Sequence, residues 1–198
     1  MLLMVSDTSE RILDATERLM VSRGYSAFSY ADISAVVGIG KATIHHHFPT
    51  KADLAAAVLA RYRKNNRRSV EGLLAAVGDP AARLEAYVGF WEECIAKRDM
   101  PFCIGALLAS EIPSLPDIVV AQVRGHFADL SGWLGAVIED GVAKGSLRTA
   151  HGPKAAAEAL MATVHGAMLA ARVAGSDQAT FSAIARPALA QLQAPSDV

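Results

Sequence analysis

The chain has 198 residues, of which 52% are hydrophobic and 6% aromatic, and its formal net charge is -1. This hydrophobic share excludes intrinsic disorder, and a chain of this length can bury a core without disulfides or structural metals. The sequence has two cysteines, no basic leader segment and no long uninterrupted apolar stretch. We therefore expect a cytoplasmic protein with reduced thiols and no membrane span.

Charge is unevenly distributed along the chain. Residues 1–68 contain ten Lys and Arg against six Asp and Glu, whereas residues 69–198 contain nine against fourteen. Such asymmetry favours an N-terminal module that faces a polyanion, although the halves of ordinary globular chains also differ this much.

Hydrophobic spacing and cap signals predict four helices in the N-terminal third. Ser29, followed three residues later by Asp32, predicts the start of the second helix, and Gly38 predicts its end. The predicted helices occupy residues 9–23, 30–37, 41–47 and 51–74. The second and third are short and are separated by a glycine turn, which is the sequence form of a helix-turn-helix.

The third helix is the candidate recognition helix. The predicted core anchors of the helix pair are Ile33, Val36 or Val37, Ile39, Ile44 and Phe48. The residues between these anchors are mostly polar, and we expect them to project into a DNA major groove. They are Lys41, Ala42, Thr43, His45, His46 and His47. A solvated helix without a binding role is the alternative for these features alone.

No metal, cofactor or catalytic motif is recognisable. Successive helix residues point about 100° apart, so the three consecutive histidines cannot converge on one ion. A glycine-rich phosphate loop, a nucleophile elbow and paired carboxylates are also missing from the sequence. We therefore expect neither a metal site nor a cofactor, and we do not expect an enzyme.

Five further helices are predicted after the N-terminal four, with no strand-like alternation between them. They occupy residues 80–98, 102–111, 117–144 and 153–174, with a last helix that ends near residue 192. The predicted fold is all-α, with an N-terminal three-helix helix-turn-helix DNA-binding domain and a C-terminal helical ligand-binding and dimerisation domain. The domains span residues 1–68 and 69–198 and share the fourth helix, which runs to about residue 76.

One face of the helix at 153–174 is apolar and rich in small side chains. Its residues are Ala156, Ala159, Leu160, Thr163, Val164, Ala167, Met168 and Ala171. A second copy of this helix and the next would complete a four-helix interface, so we predict a homodimer through residues 153–192. The alternative is that this face covers the core of its own chain.

Large and adaptable side chains in the C-terminal part predict a mainly apolar pocket for a small effector. They are Trp91, Cys94, Phe102, Cys103, Phe127, Leu130, Trp133, Met161, His165 and Met168. Each of them also suits an ordinary core. Cys103 is additionally a candidate reactive thiol, because a helix N-terminus and nearby cations would lower its pKa. A buried cysteine is more often inert.

The stretch from Phe28 to Leu54 resembles the DNA-binding signature of the tetracycline-repressor (TetR) family of bacterial transcription regulators. The resemblance rests on FSYADIS at 28–34 and VGIGKATIHHHFPTKADL at 37–54. It extends from Ile12 to Tyr62, whereas the C-terminal part is only generically similar.

The resemblance implies specific DNA contacts for the residues that match the signature. Ser29 and Tyr30 would face phosphates, and Lys51 would be a phosphate anchor. Lys41 and Ala42 would meet bases.

At the remaining positions the resemblance implies that Thr43 contacts the DNA backbone. His45 stands where the family usually has a tyrosine, and His47 stands where it often has tyrosine or histidine. A histidine ring nitrogen can still bond a phosphate.

These features predict a repressor that binds a palindromic operator in double-stranded DNA as a homodimer and releases it when a small apolar effector binds. One alternative is a thiol-switched regulator that acts through Cys103. Another is a helical small-molecule-binding protein or enzyme with a vestigial helix-turn-helix.

Overall fold

Nine α-helices and one short 3-10 helix follow one another along residues 2–98 and 102–194, the part of the chain that the computed structural model describes. Side chains are described from Asp7 onward. The outer limits of the two predicted domains, residues 1 and 198, lie outside this part. Within it no strand forms, and the backbone makes one isolated β-bridge, between Leu147 and Gln193.

The prediction of an all-α fold is confirmed, and most helices lie where the sequence predicts them. The helices are α1 (Leu2–Arg23), α2 (Tyr30–Val37), α3 (Lys41–His47), α4 (Lys51–Ala76), α5 (Pro80–Lys97), α6 (Ile104–Ala109), α7 (Asp117–Lys144), α8 (Pro153–Val173) and α9 (Gln178–Ala190). The 3-10 helix is Ile112–Ser114. No helix in the described ranges combines the length and the apolarity needed to cross a membrane.

Two predicted helix limits are wrong. α1 begins at Leu2 rather than at Ser9, because Leu2, Leu3 and Met4 are residue types with high helix propensity. The helix predicted over 102–111 is reduced to the six residues of α6. The 3-10 helix that follows contains Pro113, which has no backbone N–H with which to extend α6.

Contacts group the described residues into two units. Unit 1 comprises the chain up to Asn66 together with Cys103–His126, and unit 2 comprises Arg67–Phe102 together with the chain from Phe127 onward. The helices α4 and α7 contribute to both units. α6 therefore belongs with the N-terminal helices, although it follows α5 in sequence.

The core of unit 1 fixes the positions of α2 and α3. Ile33 and Ile44 are fully buried, as predicted for core anchors. Val37 is 8% exposed whereas Val36 is 61% exposed, so the structure selects Val37 as the anchor at the end of α2. The guanidinium of Arg11 donates to the carbonyl of Val37 at 2.8 Å and ties α1 to this end of α2.

Local capping explains why α2 is only two turns long. Ser29 and Asp32 form a reciprocal capping box, in which each side chain accepts a hydrogen bond from the other residue's backbone N–H. Gly38 ends the helix with a left-handed backbone, φ 74°, which glycine adopts without steric cost. The cap signals in the sequence are confirmed at both ends.

In unit 2, α9 packs along α8 and against α5. An ion-pair cluster joins α9 to α5: the guanidinium of Arg186 donates to the carboxylates of Glu85 and Glu92. These hydrogen bonds lower the pKa of Glu92. The hydroxyl of Ser182 also donates to Glu92, at 2.6 Å.

The small-residue face predicted for dimerisation is mostly buried inside its own unit, which corrects the sequence analysis. Leu160, Val164, Ala167, Met168 and Ala171 are buried. Ala167 has no exposed surface at all. These five residues cover the core of their own unit and are not available to a second copy, whereas Ala159 of the same face is exposed.

A different stripe of α8 is open to solvent. Its residues are Ala155, Ala159, Ala162, Gly166, Leu169 and Val173. They are spaced alternately by four and three residues, so they form one continuous line along the helix. Leu169 is 53% exposed and Val173 is 91% exposed.

Candidate nucleic-acid interface and effector pocket

The polar side chains of α3 form an exposed surface around one buried anchor. Lys41, Ala42 and Thr43 are exposed, as are His45 and His46. Ile44, between them, is fully buried and holds the helix against unit 1. His47 is half-buried and its ring contacts the ring of His46, with 5.7 Å between ring centroids. Five of the α3 residues predicted to meet DNA are therefore exposed to solvent on a helix that is fixed by its buried anchor.

Tyr30 and His45 support each other across the α2–α3 pair. Their ring centroids are 4.5 Å apart, and the hydroxyl of Tyr30 donates to the carbonyl of Phe48 at 2.7 Å. Burial, with the nearby charge of Asp53, raises the pKa of Tyr30 to about 12. The hydroxyl therefore stays protonated, and its proton is directed into the protein. It can donate to a phosphate only if it releases the carbonyl of Phe48, and otherwise it can reach a phosphate only through a bridging water.

Lys51 is more deeply engaged than its predicted role as a phosphate anchor implies. Its ammonium donates to the carbonyl of Phe28 at 2.5 Å and lies over two aromatic rings, 4.2 Å from the centroid of Phe28 and 4.7 Å from that of Tyr25. Burial lowers the pKa of Lys51, and the charges of Glu111 and Asp32 oppose this effect. An ammonium has three N–H donors, so a phosphate could use those that Phe28 does not.

The candidate pocket residues divide between the two units. Cys103 belongs to unit 1, whereas the other nine belong to unit 2. Within unit 2, Phe127 packs edge-on against His165, with 5.4 Å between ring centroids. Phe127 and Met161 also line an open groove of about 690 Å³ between α7 and α8.

Among the buried polar atoms of unit 2 that have no hydrogen-bond partner in the described residues, three belong to candidate pocket residues. They are Nε1 of Trp91 on α5, Nε1 of Trp133 on α7 and Nε2 of His165 on α8. Burial lowers the pKa of His165 to about 4, so the ring is neutral near pH 7. A buried polar atom without a partner costs about 1–3 kcal/mol. A small molecule with matching polar groups would recover this free energy.

The environment of Cys103 contradicts the predicted low pKa. The thiol is 1% exposed, and burial raises its pKa. Its neighbours are the hydroxyl of Tyr62 at 3.7 Å and Nε2 of His126 at 3.2 Å, neither of which is a lysine or arginine. The contact with Tyr62 was not predicted, because the two residues are 41 positions apart and no local pattern links them.

The family comparisons agree with this geometry. The family model described as bacterial regulatory proteins, tetR family, matches residues 12–58. The model described as Tetracyclin repressor-like, C-terminal domain, matches residues 80–186. Together they cover most of the chain, which therefore belongs to the TetR family of DNA-binding transcription regulators rather than to an enzyme family.

Known relatives are regulators as well. A crystal structure of a TetR-family transcriptional regulator from Agrobacterium tumefaciens is 50% identical and covers 96% of this chain and 100% of that one, with a TM-score of 0.93. The transcriptional regulator AcuR of Cereibacter sphaeroides is 28% identical over 78% of this chain and 71% of its own length. The HTH-type transcriptional repressor DhaR of Mycobacterium sp. is 24% identical over 83% of this chain and 82% of its own length.

Proposed function

We propose that this regulator is a repressor that binds a palindromic operator as a homodimer and releases it when a small, mainly apolar effector binds in the C-terminal domain. The exposed polar surface of α3, held by Ile44 next to a capped α2, is the observation that carries this proposal. The name of DhaR, a relative of similar length, supports repression over activation.

The DNA-facing surface would comprise the exposed side of α3 and the first residues of α2 and α4. In this surface Lys41 and Ala42 meet bases, while Thr43 and the histidines of α3 contact bases or phosphates. Ser29, Tyr30 and Lys51 complete the phosphate contacts. Helix N-termini and cations favour phosphate, and side chains in the major groove distinguish bases.

Two copies would pair through α8 and α9, within residues 153–192. The exposed stripe from Ala155 to Val173 supports this pairing, because small residues at alternating spacings of four and three allow two helices to approach closely. A dimer with two-fold symmetry would present two copies of α3 to major grooves about 34 Å apart. An effector that prefers another dimer geometry would then release the operator by a population shift.

The effector site would lie around the unpartnered atoms of Trp91, Trp133 and His165. Two indole N–H donors and one neutral imidazole on three helices suit an apolar molecule that carries a carbonyl, ether or hydroxyl group.

A base-contact variant tests the DNA-facing surface. DNA fragments retained by the protein from its source genome supply the operator, and Lys41→Ala should then change the base preference at one position in each half-site. The expected loss of discrimination is about 1–3 kcal/mol, as for one specific base contact. Fluorescence anisotropy with the selected duplex and single-base variants measures it.

The matched control is Lys144→Ala, which removes the same charge from an exposed position at the end of α7. It should bind all duplexes as the wild type does. Equal base preferences in the wild type and Lys41→Ala would remove Lys41 from the proposed base contacts.

A thiol switch at Cys103 is the alternative, and the buried environment of this thiol argues against it. N-ethylmaleimide is the probe: its carbon–carbon double bond accepts the sulfur, and the thiol proton ends on the neighbouring carbon. The variant Cys94→Ser leaves Cys103 as the thiol that the probe can label. Because Cys103 is buried and its pKa is raised, we expect it to react slowly and operator binding by this variant to stay unchanged during the treatment. Mass spectrometry counts the labelled thiols. Operator release in step with labelling of Cys103 would instead establish the thiol switch.

A further inference from the structure

The carboxylate of Glu111 caps the loop that joins α1 to α2. Oε1 accepts a hydrogen bond from the backbone N–H of Tyr25 at 3.1 Å, and Oε2 accepts one from the backbone N–H of Ser26 at 3.3 Å. Glu111 lies just after Ser110, the C-cap of α6, and is more than 80 positions further along the chain than its two partners. All three residues belong to unit 1. One side chain therefore satisfies two backbone donors of a distant loop.

The loop is shaped to receive this carboxylate. Gly24 ends α1 with φ +80°, and a Cβ at this position would lie 2.3 Å from Oε1 of Glu111. Any side chain at position 24 would have to displace the carboxylate or move the loop. The left-handed backbone of Gly24 also turns the chain toward Tyr25 and Ser26.

The same loop supports two parts of the DNA-facing surface. The carbonyl of Phe28 accepts the hydrogen bond from the ammonium of Lys51, at the start of α4. The next residue, Ser29, is the N-cap of α2. A shift of the loop would therefore move the first turns of α2 and α4 together.

The other end of α6 rests against His126 of α7. A Cβ at Gly105 would lie 2.3 Å from Cδ2 of the imidazole, so there is no space for even one methyl group. Nε2 of the same ring lies 3.2 Å from the sulfur of Cys103. α6 has only six residues, so it is a short link between this contact and Glu111.

We propose that Glu111 is a positioning residue that converts a displacement of α6 at His126 into a displacement of the DNA-facing surface. This inference rests on the proposed function, because it assumes that this surface binds an operator. A carboxylate suits the role because its two oxygens can accept from two N–H donors, and charged acceptors form the stronger hydrogen bonds.

Two variants separate positioning from a simple effect of charge. Glu111→Gln removes a negative charge, and loss of this charge alone would tighten binding to a polyanion such as DNA. The control Glu71→Gln, on the exposed side of α4, removes the same charge and should tighten binding for this reason. Glu111→Asp keeps the charge but is too short by one methylene. We expect both substitutions of Glu111 to weaken operator binding about fivefold or more, in the range of typical coupling between sites. Tighter binding by Glu111→Gln with unchanged binding by Glu111→Asp would overturn the proposal.

A double-mutant cycle tests the transmission itself. Gly105→Ala places a methyl group against His126 and should change the operator affinity of the otherwise wild-type chain. In the Glu111→Gln background the same substitution should have no further effect, because the connection to the loop is already lost. Additive effects of the two substitutions would contradict the role of Glu111. Thermal unfolding of each variant confirms that the chain is folded.

A readout without DNA keeps the two proposals distinguishable. In the otherwise wild-type chain, Gly105→Ala should accelerate hydrogen exchange at the backbone amides of Tyr25 and Ser26. In the Glu111→Gln background, Gly105→Ala should leave the exchange rates of these amides unchanged. If no duplex binds to the wild type but this exchange pattern holds, the proposed function fails and the connection through Glu111 stands. If duplex binds and exchange at the two amides does not respond to Gly105→Ala in the wild-type background, the connection fails alone.

Discussion

Replacing Gly166 by arginine should yield a folded monomer that no longer holds the operator. Gly166 lies on the exposed stripe of α8, and nothing lies within 4 Å of a Cβ at this position, so the single chain has space for the new side chain. In the proposed dimer the same site faces a second copy, where an unpaired buried charge costs about 3–5 kcal/mol. A monomer presents only one α3 and loses the second half-site.

Analytical sedimentation measures whether the variant is a monomer, and fluorescence anisotropy with labelled operator measures its DNA binding. Circular dichroism tests whether its helices are intact. Gly78→Arg is the matched control, because it adds the same side chain at an exposed glycine before α5 that also has nothing within 4 Å of its Cβ. It should remain a dimer. A dimeric Gly166→Arg that binds the operator would exclude this stripe as the interface.

The neighbouring substitution Ala167→Arg should behave differently. Ala167 is fully buried in unit 2, so an arginine there damages the fold of the single chain as well as any dimer. We expect a much lower unfolding temperature and loss of helical signal, rather than a folded monomer. The pair of variants thus distinguishes the solvent-facing line of α8 from the line that faces the core.

A second large effect is expected at Trp91. The residue is 7% exposed, so Trp91→Ala should lower the free energy of unfolding by about 3–5 kcal/mol and reduce operator binding with it. Trp91→Phe keeps most of the volume and removes the indole N–H that has no partner. This variant should stay within about 1.5 kcal/mol of the wild type and bind the operator normally without effector.

The phenylalanine variant also tests the effector site. In the wild type, a compound that binds there should change tryptophan emission and release the operator over the same concentration range, because linkage makes the two affinities reciprocal. Trp91→Phe and Trp133→Phe should need more of the compound for release. Normal release in both variants would show that the indoles are ordinary core residues.

Local signals explain why the DNA-facing part was predictable from the sequence. The capping box of Ser29 and Asp32, the left-handed turn at Gly38 and the spacing of Ile33 and Ile44 depend on neighbours a few residues away. These signals place α2 and α3 to the residue. The hydrogen bond from the Lys51 ammonium to the carbonyl of Phe28 was not predictable in the same way, because the two residues lie 23 positions apart.

The orientation of α8 was not predictable from its pattern. The helix is apolar on two sides, one with Leu160, Val164 and Met168 and the other with Leu169 and Val173. Periodicity detects an apolar face but cannot tell which of two faces covers the core of its own chain. The packing of α9 along α8 makes this choice, and it depends on the tertiary fold.

The chemical state of Cys103 was mispredicted for a related reason. Its position before a helix and close in sequence to Lys97 and Arg98 favoured a reactive thiol. In the structure the sulfur is buried next to Tyr62 and His126, and burial raises its pKa. The environment of a buried group is set by residues distant in sequence, as it also is for Glu111.

The affinity for the captured operator as a function of salt concentration tests the central claim most directly. Each phosphate contact contributes about −0.9 to the slope of log affinity against log salt on double-stranded DNA, so two copies of the DNA-facing surface should give a steep negative slope. We expect saturation at a multiple of two chains per palindromic duplex. A folded protein that retains no fragment of its source genome, or whose duplex affinity does not change with salt, would contradict the assignment of this surface as a DNA interface.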